Sequence, residues 1–268
     1  MTTRILLVGC GKMGAAMLEG WLDRGLAPAD VVVVDPGDFA RRTFDGRVRV
    51  VGGAQDVPED FSPDVLVLAV KPQVMADVAA AYGRFRNVVY LSIAAGKTIA
   101  FFEGLFGREA AIIRAMPNTP AAVRAGITVL CANANVTSAQ RAACRDLLAA
   151  VGQVEEVADE ALMDAVTAVS GSGPAYVFHM VEALAEAGRR AGLPADLALS
   201  LARATVSGAG ELLRQSSEEA GTLRQNVTSP GGTTFAALQV LMREEGGLTA
   251  LMSEAVEAAT RRSRELAS

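Results

Sequence analysis

The stretch Arg4-Ile5-Leu6-Leu7-Val8-Gly9-Cys10-Gly11-Lys12-Met13-Gly14 decides the fold of the first half of the chain. Its apolar run predicts a buried strand, and the residues that follow predict a helix over 13–24. A GxGxxG motif joins the two. In that context Gly9 makes a tight turn, Gly11 admits a pyrophosphate, and Gly14 lets helix and strand pack closely. We therefore predict a dinucleotide site here; the alternative is a tight strand-to-helix turn without a ligand.

Short apolar runs alternate with helical stretches through the rest of the first half. Near-continuous Val, Ile and Leu are typical of strands that helices cover on both faces. The pattern predicts an α/β fold whose first domain, residues 1–157, is a Rossmann-type doubly wound parallel sheet that binds the dinucleotide. The predicted strands are residues 4–8, 31–34, 65–70, 88–93, 111–114, 127–132 and 154–157.

The second half, residues 158–268, contains long Ala- and Leu-rich stretches and predicts an all-α domain for dimerisation and substrate binding. Several of its helices are apolar around much of their circumference, so we predict that they pack against a second copy of the chain. The alternative is that they pack only on their own sheet domain. The predicted helices are residues 160–169, 175–191, 195–214 and 248–266.

A second glycine-rich turn, Ser229-Pro230-Gly231-Gly232-Thr233-Thr234, precedes an apolar run of helical character. The N-terminus of a helix leaves backbone N–H groups without partners, and Thr can cap them. The same N–H groups, with the helix dipole behind them, can hold a small anion such as a carboxylate. The glycines let that anion approach the backbone. Capping and binding are compatible, and we predict an anion site in this segment.

The end of the second predicted strand bears on the choice between two cofactors, NADH and NADPH. Asp35 occupies the position where an acid usually accepts hydrogen bonds from the ribose of NAD and repels a 2′-phosphate. Arg41 and Arg42 follow shortly, and an arginine pair can hold a phosphate or simply face solvent. The sequence leaves the preference open.

Three further loops follow predicted strands. In an open parallel sheet, ligands lie at the carboxyl ends of the strands, so these loops should border the nicotinamide half of the cofactor. Pro72 should impose an extended backbone on Lys71 in the first of them. The other two loops are the small residues 92–96 and the segment 114–120.

Composition excludes several classes of function. A net charge of −5 argues against a nucleic-acid binder. The three cysteines show neither a disulfide framework nor metal-ligand spacing, which favours a cytoplasmic, reducing compartment and no metal. No stretch has the roughly 20 apolar residues of a membrane span. The single histidine, His179, has no evident Asp or Ser partner, so we expect a structural role for it.

Taken together, these motifs resemble those of pyrroline-5-carboxylate reductase along nearly the whole chain. The motifs that carry the resemblance are Gly9 to Gly14, Val70-Lys71-Pro72-Gln73, Met116-Pro117-Asn118-Thr119-Pro120, Ser170-Gly171-Ser172-Gly173-Pro174-Ala175-Tyr176 and Ser229 to Thr234. The resemblance implies NAD(P)H-dependent reduction of 1-pyrroline-5-carboxylate to L-proline, the last step of proline biosynthesis. It also implies a homodimer of interlocked helical domains, in many members assembled into a decamer.

The resemblance and the motifs together predict the site residues. The cofactor residues are Val8, Gly9, Cys10, Gly11, Lys12, Met13, Gly14, Asp35, Ala69, Val70, Lys71, Pro72, Ala94 and Asn226. The substrate residues are Glu160, Ser229, Gly231, Gly232, Thr233 and Thr234. For Glu160 the alternative is an ordinary acid in the first turn of a helix. A cyclic imine that binds already protonated needs no strong general acid, so Thr234 is the catalytic candidate, hydrogen-bonded to the ring nitrogen. We call the segment Ser229 to Thr234 the Thr loop. Because the helical domains should interlock, we expect the Thr loop of one subunit to complete the active site of its partner.

Two other functions are alternatives to this one. A β-hydroxyacid dehydrogenase also joins a Rossmann domain to helices, but it needs a lysine in its helical region, and all three lysines lie within the first 97 residues. A dinucleotide-sensing regulator without catalysis accounts for the first glycine-rich turn but not for the second.

Overall fold

The computed structural model describes residues 3–267, which form two compact units. The first unit extends to Gly171 and includes the chain from Ala259 onward; the second is Ser172–Ala258. The sequence predicts a domain boundary at residue 157; in the structure the segment that follows packs on the sheet. Met163, for example, is fully buried in one of the two cores of the first unit.

An eight-stranded sheet forms the centre of the first unit, in the order β3-β2-β1-β4-β5-β6-β7-β8. The strand order reverses between β1 and β4, which is the place where open α/β sheets bind ligands. The strands are β1 Ile5–Val8, β2 Val31–Val34, β3 Arg49–Val51, β4 Val65–Leu68, β5 Val89–Ser92, β6 Ala111–Met116, β7 Gly126–Ala132 and β8 Gly152–Glu156.

Two features of this sheet differ from the prediction. The sheet is parallel from β3 through β6, but β7 pairs antiparallel with β6, and β8 runs parallel to β7. Between β6 and β7 there is only a short 3-10 turn, Thr119–Val123, whereas a parallel connection needs a crossover of a dozen residues or more. The edge strand β3 was not predicted, because three residues are too few to show a period.

Helices cover both faces of the sheet, as the unbroken apolar strands predict. Ile5 and Leu7 belong to one buried cluster, and Leu6 and Val8 belong to the other. Alternate side chains of one strand therefore enter opposite layers. The helices of this unit are α1 Lys12–Asp23, α2 Asp38–Phe44, α3 Met75–Ala80, α4 Ile99–Phe106, α5 Ser138–Ala149 and α6 Met163–Val166.

In place of the predicted helix over 160–169, the structure has three short helical segments of different types. A 3-10 turn, Glu160–Leu162, leads into α6, and a π-helical turn, Thr167–Gly171, follows. The hydroxyls of Thr167 and Ser170 donate to backbone carbonyls four residues earlier, a bond that competes with regular helix formation.

The second unit is helical. Its helices are α7 Gly173–Arg190, α8 Ala195–Gln215, α9 Ala220–Asn226, α10 Thr233–Leu241 and α11 Leu248–Ala267, the last of which ends in the first unit. Among its apolar side chains only Ala198 and Ala202 are buried, while many large ones are exposed. His179 is also exposed and lies 3.0 Å from the Glu182 carboxylate, one turn along α7. None of the helices described is long and apolar enough to cross a membrane.

Candidate functional site

Backbone atoms of neighbouring segments surround the glycine-rich turn closely. Gly9 has φ +89°, and a Cβ built on it would lie 2.8 Å from the backbone C and O of Ala69, just beyond β4. The Gly9 N–H donates to the Val34 carbonyl at 2.8 Å. A Cβ on Gly14 would lie 2.5 Å from the Gly9 oxygen. The turn is thus held between β2 and β4, and only glycine fits at Gly9 and Gly14.

Gly11, by contrast, faces open space. A Cβ on it would meet no heavy atom within 4 Å. Gly11 is the N-cap of α1 and has no side-chain cap, so the N–H groups of Lys12, Met13 and Gly14 have no acceptor within residues 3–267. An open glycine before unpartnered N–H groups is the arrangement that accepts a pyrophosphate. The turn therefore fits a dinucleotide.

Asp35 follows β2 directly and is bonded to this turn. Its Oδ2 accepts the Cys10 N–H at 2.6 Å, and its Oδ1 accepts the Gly37 N–H at 2.7 Å. The carboxylate is therefore positioned by two backbone donors. Sequence reasoning placed Asp35 beside the ribose but did not anticipate these bonds.

Cys10 is a packing residue of the turn, since its side chain is almost fully buried. Burial raises the pKa of its thiol to about 12, and the carboxylates of Asp35 and Glu19 add to the effect. A thiol with this pKa stays protonated at neutral pH and is a poor nucleophile. Cys10 therefore offers no reactive thiol in the cofactor turn.

The loops after β4 and β5 lie beside the turn at the same edge of the sheet. The Ala69 N–H donates to the Val8 carbonyl at 2.7 Å, and the Ile93 N–H donates to Leu68 at 3.1 Å. Lys71 is extended, at φ −61° and ψ 143°, as predicted for the residue before Pro72. With these contacts the structure brings Val8, Ala69, Val70, Lys71 and Pro72 to one edge, with the buried Ala94 two residues beyond β5.

Glu160 is held in a largely buried ion pair. Its Oε1 accepts from the Arg114 guanidinium at 2.9 Å and from the Ile99 N–H, the first of α4, at 2.8 Å. The Arg114 side chain is only 5 % exposed and that of Glu160 is 28 % exposed. Sequence analysis missed this role of Arg114, although a lone arginine in the apolar strand Ala-Ile-Ile-Arg was the available signal.

Asn118 connects two of the motifs. Its amide donates to the Ser170 carbonyl at 3.1 Å and accepts the Ile127 N–H at 2.9 Å. A Cβ on Gly171 would lie 2.5 Å from the Met116 methyl carbon, so this glycine permits close packing. Ser170 and Gly171, the first two residues of their motif, therefore pack against the end of β6 and the loop that follows it.

In the second unit, the Thr loop leads into α10. Gly231 has φ +70°, and Gly232 is the N-cap without a side-chain cap. The expectation that a threonine caps this helix was wrong: Thr233 and Thr234 are its first two residues, and their hydroxyls make no hydrogen bond within the part of the chain described. A Cβ on Gly232 would collide with the Ser229 hydroxyl oxygen, which explains why the cap is a glycine.

The first turn of α10 consequently presents unpartnered donors. The first intrahelical bond is Ala236 N–H to the Gly232 carbonyl, so the N–H groups of Thr233, Thr234 and Phe235 have no acceptor among residues 3–267. Thr234 is half-buried and Thr233 is exposed. Asn226, the last residue of α9, is exposed and makes a long contact of 3.4 Å with Glu218. The described residues contain no cluster of three or more His, Cys, Asp and Glu that could hold a metal ion.

The fold and this edge of the sheet define a dinucleotide-dependent oxidoreductase. Two family models match the chain: "NADP oxidoreductase coenzyme F420-dependent" over residues 4–96 and "Pyrroline-5-carboxylate reductase dimerisation" over residues 160–266. The chain is also 43 % identical to the pyrroline-5-carboxylate reductase of Synechocystis sp. over 99 % of both chains. The chain therefore belongs to the pyrroline-5-carboxylate reductase family.

Solved structures agree with this assignment. The chain is similar to a pyrroline-5-carboxylate reductase from Coxiella burnetii, with a TM-score of 0.91 and 35 % identity over 100 % of both chains. It is also similar to the pyrroline carboxylate reductase of Plasmodium falciparum with NADP bound, with a TM-score of 0.83 and 29 % identity over 99 % of this chain and 98 % of that one.

Substitutions at Gly9 and Gly11 distinguish an effect on folding from an effect on dinucleotide binding. Gly9→Ala should lower the free energy of unfolding by about 2–5 kcal/mol, because its Cβ overlaps the Ala69 backbone and φ is positive. Gly11→Ala should cost no more than about 1 kcal/mol as a poorer N-cap, yet weaken dinucleotide binding, because its methyl group enters the open space. Urea unfolding and NADH fluorescence titration check both. Undiminished dinucleotide binding by Gly11→Ala would contradict this assignment of the turn.

The ion pair of Glu160 predicts a loss of stability. Glu160→Ala should lower the free energy of unfolding by about 3 kcal/mol, since it leaves the Arg114 guanidinium buried without its partner. Glu160→Gln should lose less, because its carbonyl oxygen can still accept both bonds. The control is Glu155→Ala on the exposed face of β8. Urea midpoints at one protein concentration measure the effect, and equal midpoints for Glu160→Ala and Glu155→Ala would show that the pair is not structural.

Proposed function

We propose that this chain catalyses the NAD(P)H-dependent reduction of 1-pyrroline-5-carboxylate to L-proline. The observation that carries the proposal is the uncapped N-terminus of α10, with three unpartnered N–H groups and two free threonine hydroxyls. It offers a site for a small carboxylate in a chain whose other glycine-rich turn fits a dinucleotide. The names of the relatives support the same reaction.

The cofactor would be held by the edge of the sheet around Gly11. The N–H groups of Lys12, Met13 and Gly14 would bind the pyrophosphate, and Asp35 would face the adenosine ribose. The loop Ala69–Pro72 and Ala94 would border the nicotinamide, and Asn226 would reach the cofactor from the helical domain. When bound, the reduced nicotinamide supplies the hydride.

The substrate carboxylate would be held by the Thr loop. The N–H groups of Thr233 and Thr234 can donate to its oxygens, and Ser229 can add its hydroxyl. Gly231 and Gly232 leave room for the ligand to approach the backbone. This anchoring fixes the position of the ring, which is the main contribution to a reaction that needs little acid–base assistance.

The chemistry requires a hydride on the ring carbon and a proton on the ring nitrogen. If the imine binds as the protonated iminium, the proton is already in place and the carbon is electrophilic. The Thr234 hydroxyl would accept a hydrogen bond from the iminium N–H and keep the ring nitrogen oriented. Glu160 would orient the ring through Oε2, since Oε1 is used by Arg114 and Ile99.

The functional unit would be a homodimer with interlocked helical domains, and a decamer would be its higher assembly. Val177, Phe178 and Leu199 line an apolar cleft between α7 and α8, and the Phe178 side chain is 63 % exposed. Surfaces of this kind mark protein–protein interfaces. In such a dimer the Thr loop of one subunit would complete the site of its partner.

The reducing cytoplasm is the proposed location, and it is compatible with the three buried free cysteines. Neither rival function gains support. The second unit contains no lysine to serve a hydroxyacid dehydrogenase, and a sensor would not need the α10 site.

Steady-state oxidation of NADH and NADPH with 1-pyrroline-5-carboxylate tests the reaction. We expect turnover with at least one cofactor, and Thr234→Val should lower kcat about 100-fold because it removes the hydroxyl at the ring nitrogen. The matched control is Thr249→Val, an exposed threonine on α11. A protein that binds the dinucleotide but oxidises neither NADH nor NADPH in the presence of 1-pyrroline-5-carboxylate would refute the reductase assignment.

Placing a charge in the apolar cleft tests the dimer. Phe178→Glu should give a monomer by light scattering, because a carboxylate is costly to bury at an apolar interface. It should also lose more than about 100-fold in kcat, since the site would be incomplete. Val123→Glu, an exposed apolar residue of the sheet domain, should keep the oligomeric state. A monomeric Phe178→Glu with full activity would overturn the shared site.

A further inference from the structure

The β5–α4 loop, residues 93–98, connects the end of strand β5 to helix α4 at the cofactor edge of the sheet. It contains the buried Ala94, which would border the nicotinamide. The side chains of Ala94, Ala95 and Gly96 are small, so they bury little apolar surface by which packing could fix the loop. The position of the loop therefore depends on hydrogen bonds and backbone contacts with neighbouring segments.

Two contacts hold the first part of this loop. The Ala94 N–H donates to the hydroxyl of Ser92, the last residue of β5, at 3.3 Å. Gly96 has φ +73°, and a Cβ built on it would lie 3.3 Å from the carbonyl oxygen of Leu266, near the end of α11. The middle of the loop thus lies against the end of α11 that belongs to the same compact unit.

The far end of the loop is held by Glu160. Helix α4 begins at Ile99, after Thr98, whose hydroxyl caps the helix by accepting the Phe101 N–H at 3.2 Å. This cap leaves the Ile99 N–H without a partner inside the helix, and Glu160 Oε1 accepts it at 2.8 Å. A carboxylate at this place also interacts favourably with the helix dipole. Glu160 lies in the 3-10 turn after β8, so the bond joins residues 61 positions apart.

Arg114 holds that carboxylate in position. It lies on β6 directly opposite Ser92 of β5, and its guanidinium donates to the same Glu160 oxygen at 2.9 Å. Because Arg114 is buried on a central strand, it fixes Glu160 relative to β5 and β6 as well as to α4. The loop therefore leaves the sheet beside Arg114 and enters α4 at the carboxylate that Arg114 holds.

We propose that Arg114 and Glu160 are positioning residues that hold the β5–α4 loop against the nicotinamide half of the bound cofactor. The proposal rests on the proposed function for the place of the nicotinamide. It gives the ion pair a role in hydride transfer besides its contribution to stability. A loop displaced at this point would leave the nicotinamide poorly placed for transfer to the ring carbon of the substrate.

Substitutions of Ile99 test the backbone bond while leaving the ion pair in place. Ile99→Pro removes the N–H that Glu160 accepts, and proline is well tolerated at the first residue of a helix. The preceding Thr98 is already extended, at φ −83° and ψ 163°, as a following proline requires. The matched control, Ile99→Ala, keeps the N–H and loses most of the side chain.

Calorimetric titration with NADH, and with ADP-ribose, which lacks the nicotinamide, measures the effect. We expect Ile99→Pro to weaken NADH binding about tenfold and to leave ADP-ribose binding unchanged. Ile99→Ala should keep the native ratio of the two Kd values. A loss of stability alone would not change this ratio, so a native ratio in Ile99→Pro would overturn the proposal.

A substitution of Arg114 keeps the test informative even if Ile99→Pro folds poorly. Arg114→Leu should weaken NADH binding relative to ADP-ribose in the same way, and Arg114→Lys, which keeps the positive charge, should restore part of it. The control, Arg141→Leu, removes an arginine that pairs with Glu156 at the edge strand β8 and should keep the native ratio. Equal ratios in Arg114→Leu and Arg141→Leu would contradict the proposal.

Turnover separates this proposal from the proposed function. In an active reductase, Ile99→Pro should lower kcat about tenfold and leave the KM for 1-pyrroline-5-carboxylate unchanged, because the substrate carboxylate would be held by the Thr loop. A native protein without turnover, whose variants still change the binding ratio as expected, would refute the function and leave the positioning role standing. Native turnover together with unchanged binding ratios in the variants would do the reverse.

Discussion

The contact between Gly9 and the backbone of Ala69 constrains the whole cofactor edge. It brings the end of β1 against the end of β4, at the point where the strand order reverses. Because Gly9 also donates to the Val34 carbonyl and Cys10 donates to Asp35, the end of β2 is tied to the same turn. Gly11 faces open space beside these fixed segments, so the dinucleotide turn is held in shape without a ligand.

The second unit differs from the first in how few of its apolar side chains are buried. Its stability does not come from a core of its own, because only two small apolar side chains in it are buried. The same unit carries the uncapped end of α10, where the substrate carboxylate would bind. We therefore infer that assembly and catalysis depend on one another. A second copy of the chain that covered the apolar helices would also bring the Thr loop to the active site.

Most of the strands, the helices α1, α7, α8 and α11, and the dinucleotide turn follow from apolar runs and glycine spacing. The direction of β7 does not, because it depends on the short connection after Met116 rather than on the strand itself. The pair of Arg114 and Glu160 joins residues 46 positions apart, which no local pattern reports. The sequence did not predict that Gly232, rather than a threonine, forms the cap of α10, because both residue types occur at this position of a helix.

A crystal structure with L-proline and the oxidised dinucleotide bound tests the central claim, that one chain carries two helix N-termini for two anionic groups. We predict the pyrophosphate over Gly11 and the proline carboxylate within hydrogen-bonding distance of the N–H groups of Thr233 and Thr234. A carboxylate bound away from α10, for instance by an arginine of the sheet domain, would contradict the account.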